Sequence, residues 1–285
     1  MRSGVAVAGR QIGASRSGSF EPAVVEVPDV LVPRRAWSLG GRSALAVGSL
    51  ACGAAWGVAA DPSPWALLIV LAFVGGLLST WSPCGYSSLA TLRPWGRWSI
   101  RAVAGWLPTL LAHGAGYVAG GLLLGSVLAL GAVVFAPSAD AAWPLWAIAL
   151  VSLAYGLDQL GFLSLPYPQR KSQVPHDVRL RWPMWRIGLL YGFALGLNFV
   201  TYVRTPILYV VVLAALLSGS WAIPLALVLA LNGGRFLPLL VNALPVTDRA
   251  VQAWLARHEE HAVLAGAAVQ LALGAAILVA LTDHL

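Results

Sequence analysis

The chain has 285 residues, 59% of them hydrophobic and 10% charged, with a mean hydropathy of +0.77. Soluble domains carry roughly 25% charged residues, so a water-facing fold is excluded as a first reading and the uncharged surface is lipid-facing. The net charge of +7 does not point to nucleic acid, because the basic residues sit in short runs between apolar segments, as topology signals do.

Residues 1–42 hold six arginines among Ser, Gly and Pro, with no apolar run long enough for a signal peptide, and predict a disordered basic cytoplasmic tail. About 20 apolar residues are needed to cross a bilayer. That length predicts an extra N-terminal span at 43–60 and further spans at about 65–90, 102–135, 143–163, 186–217, 221–243 and 261–281. The expected fold is an all-α polytopic membrane protein of about seven transmembrane helices. Six or eight remain open, because Gly120-Gly121 offers a place to divide the third span. The glycines of that span also stand at spacings that let helices pack closely.

Lys and Arg fall in the tail (Arg34, Arg35, Arg42) and in the loops after the second, fourth and sixth spans: Arg93, Arg97 and Arg101; Arg170, Lys171, Arg179 and Arg181 in the basic cytoplasmic loop 164–185; Arg249 and Arg257. The loops near Asp61, Asp140 and Ser218–Ser220 have none. Positive loops stay in the cytoplasm, so the N-terminus is expected in the cytoplasm, the C-terminus in the periplasm, and the protein in the cell inner membrane.

Four ionisable residues lie at membrane depth: His113, Asp158, Arg204 and Arg235. Such groups are functional candidates by default. One reading is an anion-attracting or thiolate-stabilising cavity lined by Arg204 and Arg235. The other has Asp158 paired with one arginine to fix helix packing while the second arginine snorkels or binds carbonyls freed at a broken helix. His113 reads as a helix-to-helix hydrogen bond, since no second ligand stands at metal spacing in its helix. No metal and no cofactor are expected.

Cys52 and Cys84 are the two cysteines, both in apolar stretches. In Trp81-Ser82-Pro83-Cys84-Gly85-Tyr86-Ser87-Ser88-Leu89, Pro83 removes a backbone donor inside an expected span and must break or kink the helix. A related element stands 123 residues further on, at Thr205-Pro206-Ile207; Phe73-Val74-Gly75-Gly76 precedes the first and Phe193-Ala194-Leu195-Gly196 the second. Each element opens a three-span unit, 65–163 and 186–281. Odd units alternate in orientation, which predicts an inverted 3+3 repeat with a midplane site between two broken helices.

The Ser-Pro-Cys element heading one unit and the Thr-Pro element heading the other resemble the membrane thiol:disulfide transporters of the DsbD/CcdA type. A more specific likeness, over the whole chain, is to the MauF family of methylamine utilization proteins, carried by Ser82–Leu89 and by Tyr202-Val203-Arg204-Thr205-Pro206-Ile207-Leu208-Tyr209. That resemblance implies a role in methylamine degradation, as an accessory protein for producing active methylamine dehydrogenase, whose small subunit is disulfide-rich and carries a tryptophan-derived quinone. Against the thiol-transporter pattern, the second cysteine is replaced by Ile207, so the usual disulfide cycle cannot run there. Cys52, next to Gly53, reads as a packing residue.

Three classes follow: a maturation factor of methylamine utilization with a redox association through Cys84, a small-solute transporter, and a scaffold for other methylamine dehydrogenase maturation proteins. The expected partners are the lipid bilayer and those maturation proteins, without nucleic acid. No phosphate loop, metal motif or nucleophile–base pair marks a self-contained enzyme.

Overall fold

The computed structural model describes residues 37–60, 63–94, 96–135, 142–167, 182–200 and 205–282. Every regular element among them is helical: α1 (Leu39–Ala60), α2 (Pro64–Leu78), a 3₁₀ turn (Ser79–Trp81), α3 (Pro83–Thr91), α4 (Ile100–Val134), α5 (Trp143–Gln159), α6 (Met184–Gly196), α7 (Ile207–Leu217), α8 (Ala222–Phe236) running into a 3₁₀ segment (Leu237–Ala243), and α9 (Asp248–Thr282). Proline opens α2 and α3, where its missing N–H leaves no bond unmade. Ser99 caps α4 by accepting from Ala102 N–H.

Among the described residues five stretches are long and apolar enough to cross a bilayer: Leu39–Ala60, Pro64–Trp81, Ile100–Val134, Ala222–Ala243 and Asp248–Thr282. The chain is a helical membrane protein. The two remaining expected spans take other forms: 143–163 is the 17-residue α5, and 186–217 is divided between α6 and α7. The division entertained at Gly120-Gly121 does not occur; α4 runs unbroken through both glycines for 35 residues. The first helix begins at Leu39, inside the expected tail 1–42, whose first 36 residues lie outside the described ones. Exposed tryptophans stand near helix ends, with Trp56, Trp143 and Trp221 toward the neutral loops and Trp98, Trp182, Trp185 and Trp254 toward the basic ones. Indoles settle at membrane–water interfaces for that amphipathic reason.

The most extensive helix contacts pair α4 with α6, α1 with α9, α5 with α9, α2 with α8, and α4 with α8. Without a hydrophobic drive between helices in lipid, close backbone approach does the packing. On α6, Gly188, Gly192 and Gly196 recur every four residues and lie against α4; a Cβ on Gly192 would stand 2.1 Å from the His113 carbonyl oxygen. On α2, a Cβ on Gly76 would stand 2.0 Å from the Leu231 oxygen of α8. The two crossings match in detail. Gly234 meets the Phe73 oxygen and Gly120 the Phe193 oxygen; Gly76 meets the Leu231 oxygen and Gly196 the Tyr117 oxygen.

α1 rests on α9 through Gly53 and Gly57, opposite Ala272 and Ala276, and its first turn is tied down by Arg42 to Glu260 (3.6 Å). Between α5 and α9, fully buried Gln270 donates to Gln159 Oε1 (2.7 Å), and Ser152 donates to the Gln270 carbonyl (2.9 Å). These bonds fix the register of α5 on α9 where apolar contacts alone would allow sliding.

Candidate functional site

At the first break α2 tightens into the 3₁₀ turn and Ser82 goes extended (φ −84°, ψ 154°) before Pro83 starts α3. The carbonyls this frees are met locally: Ser79 Oγ donates to Gly76 O (2.6 Å), and Ser82 Oγ donates to Ser79 O. Gly85 is required by sterics, since a Cβ there would stand 2.4 Å from the Thr80 oxygen. Cys84 is the second residue of α3 and is 3% exposed, enclosed with Trp106, Tyr117, Ile187, Leu239 and Leu255. Cys52 faces outward from α1, and no disulfide joins the two cysteines.

At the second break α6 stops at Gly196, and Asn198 takes a left-handed backbone (φ 56°). Asparagine tolerates that region better than most residues, and its side chain then turns back on the helix end. Asn198 Nδ2 donates to Gly196 O and to Asn232 Oδ1, both at 3.0 Å. Asn232 Nδ2 donates to Tyr117 O and Gly196 O, both at 3.1 Å. Arg235 Nη1 donates to Leu195 O (2.8 Å) and Asn198 Oδ1 (2.6 Å). All three side chains are buried. A guanidinium at the C-terminus of α6 also meets the negative end of the helix dipole. The network ties α6 to α8 and α4 and satisfies the carbonyls that the break would leave bare in a medium without water.

Ile207 opens α7 fully buried; a Cβ on Gly75 would stand 2.5 Å from its Cγ2. Its methyl is seated in a glycine notch of α2. Thr205 is buried, and its hydroxyl meets no hydrogen-bond partner among the described residues. Arg204 lies outside the described residues, so the expected Arg204–Arg235 cavity is represented by Arg235 alone.

Asp158 is not paired with Arg235; Arg204, the other arginine of the expected pairing, lies outside the described residues. Asp158 accepts from Leu165 N–H (2.8 Å) and from the Tyr167 hydroxyl (2.9 Å), fastening the chain that leaves α5. Burial, and then the Asp158 carboxylate, push the Tyr167 hydroxyl above its ordinary range. Tyr155 and Tyr209 stack beside it, with ring centroids 5.5 Å apart. His113 Nδ1 donates to Gly188 O (2.9 Å) across the α4–α6 crossing. Among the described residues no cluster of His, Cys, Asp or Glu is placed to hold a metal ion. Asn198 and Asn232 escaped the sequence reading because it looked for ionisable groups; a search for carboxamides within apolar spans would have found both.

The sequence has clear relatives. It is 52% identical over 258 residues to the methylamine utilization protein MauF of Paracoccus denitrificans, covering 89% of this chain and 93% of that one. To MauF of Methylophilus methylotrophus it is 47% identical over 272 residues, covering 93% and 95%. To MauF of Methylobacillus flagellatus it is 44% identical over 278 residues, covering 95% and 96%. No family model and no solved structure matches the chain.

Proposed function

The chain belongs to the MauF family of methylamine utilization proteins, and we propose that within it the protein is an inner-membrane accessory factor for producing active periplasmic methylamine dehydrogenase, holding maturation partners rather than catalysing a reaction itself. The observation that carries this reading is the closed second break. Ile207 fills the place of a second thiol, and Arg235, Asn198 and Asn232 bind the end of α6 to its neighbours. A thiol carrier needs two cysteines that make and break a disulfide. An alternating transporter needs a broken helix free to exchange partners. This chain has the frame of both and the moving part of neither.

The frame is read as one N-terminal span plus an inverted 3+3 repeat. Its support is the matched pair of crossings, Phe73 and Gly76 on α8 against Phe193 and Gly196 on α4. The one-sided distribution of Lys and Arg supports a cytoplasmic N-terminus and a periplasmic C-terminus.

The test is deletion of the gene in a host grown on methylamine, followed by measurement of dehydrogenase activity and of mature small subunit. Loss of both, restored by the wild-type chain, is expected; a deletion strain with full activity overturns the proposal. Complementation with Cys84→Ser separates scaffold from redox factor. Scaffolding predicts near-normal dehydrogenase, whereas its loss at normal membrane levels of the variant assigns a redox step to Cys84. Flux of methylammonium or of anions in proteoliposomes would replace the proposal with solute transport.

A further inference from the structure

Beside the first break a cavity of about 690 Å³ opens sideways out of the bundle. Leu78 at the end of α2, Leu89 of α3, Val241 of the 3₁₀ segment and Val251 of α9 form its walls, and Trp81 and Trp254 meet at its rim with ring centroids 5.6 Å apart. The lining is apolar apart from the Thr80 hydroxyl and the Trp81 and Trp254 indoles. The Trp81 indole N–H is spent on the Leu255 carbonyl (2.9 Å), and the Thr80 hydroxyl oxygen is enclosed. Apolar cavities stay dry, and an empty one forfeits the dispersion contacts of its walls.

The surroundings supply an occupant. Phe73, one turn before Leu77 of the lining, is exposed on α2, and Leu237 and Leu240 are exposed next to Pro238 and Val241 of the lining. The cavity is thus continuous with the lipid-facing surface. One turn beyond Trp254 on α9, Arg257 is exposed and has no ion-pair partner among the described residues, whereas Arg93 and Arg42 are paired with Asp248 and Glu260. A cation above an indole-rimmed apolar slot is complementary to an anionic headgroup with its chain below.

We propose that this cavity binds one acyl chain of an anionic phospholipid from the leaflet on the side of the basic loops, with the headgroup at Arg257. A quinone is the alternative guest that the lining disfavours, because its two ring carbonyls would find only the Trp254 indole N–H at the rim and the enclosed Thr80 hydroxyl. The bound lipid completes the wall between the first break and the start of α9 and is part of the folded protein. This holds whatever the fate of the scaffold reading.

The full-length protein, purified in mild detergent and washed free of loose lipid, is examined by native mass spectrometry after exposure to phosphatidylglycerol or phosphatidylcholine. Wild type is expected to keep a single phosphatidylglycerol. Ala250→Trp, at the exposed mouth, and Val246→Trp, on a different wall, should each lower retention at least about tenfold, the equivalent of 1.4 kcal/mol, with the protein still cooperatively folded. Val133→Trp, on the lipid-facing side of α4, should leave retention unchanged. Arg257→Gln should erase the preference for phosphatidylglycerol. No retained phospholipid in wild type, wild-type retention in both Ala250→Trp and Val246→Trp, a persistent headgroup preference in Arg257→Gln, or a quinone in place of phospholipid would each overturn the proposal.

Discussion

Replacing Asn198 with Ala isolates the energetics of the closed break. The change removes the acceptor 2.6 Å from Arg235 and the donor 3.0 Å from Asn232 Oδ1, leaving that oxygen buried without a partner. A hydrogen bond to a charged group contributes about 1.5–3 kcal/mol, and an orphaned buried acceptor costs about 1–3 kcal/mol. Alanine at φ 56° adds about 1 kcal/mol, because its Cβ crowds the carbonyl without a side chain to compensate. Together these give a loss of about 3.5–7 kcal/mol, readable as a shift in unfolding free energy on titrating mixed micelles with a denaturing detergent and following helicity. Asn198→Gly removes the backbone part and should recover about 1 kcal/mol relative to Ala. In the double variant with Asn232→Ala the losses should fall well short of additivity, since both changes open the same network. A loss below about 1 kcal/mol for Asn198→Ala, or full additivity with Asn232→Ala, would refute this account of how the break is held.

Gly192→Ala and Gly76→Ala should each prevent accumulation of folded protein, because the added Cβ meets a backbone oxygen at about 2 Å in both crossings, whereas Gly48→Ala, with open space around it, should be neutral or slightly stabilising; yields after mild-detergent size exclusion give the comparison. Tyr167 titrates above its ordinary range when folded. Between the unfolded value of about 10 and the higher folded one, the unfolded chain releases the phenolic proton and the native one does not, so stability falls as pH rises. The stability gap between wild type and Tyr167→Phe should therefore be constant below about pH 9 and shrink above about pH 10; a gap that widens there would contradict the assignment.

The apolar spans were legible because bilayer thickness imposes a length on any run that crosses it, and the break at Pro83 because proline cannot donate into the helix ladder. Where the sequence reading went astray, two effects competed on one residue. Gly120 and Gly121 carry the spacing of a helix divider, yet α6 and α8 press against α4 there and make the same glycines packing contacts. Charge alone leaves open which arginine Asp158 would meet; Arg235 and Asp158 each lie within reach of nearer groups, the bared end of α6 for one and the Leu165 N–H and Tyr167 hydroxyl for the other. Asn198 gave no periodic or charge signal, since its importance comes from a backbone conformation that only the tertiary fold imposes. Ile207 after Thr205-Pro206 was plain in the sequence; the Gly75 notch that receives it was not, because that notch exists only once α2 and α7 have met.

The pairing of early helices with late ones bears on how the protein is made. α1 has its main neighbour in α9, α2 in α8, α4 in α6 and α8, and α5 in α9. At about 5–20 residues per second of synthesis, roughly 220 residues separate the end of α1 from the end of α9, so the first helix waits on the order of 10–40 s in the bilayer for its partner. During that interval the glycine faces of α1 and α2 are without their final contacts. The chain should therefore depend on membrane insertases that shelter such surfaces, and truncation even within α9 should leave the whole bundle unassembled rather than one helix short.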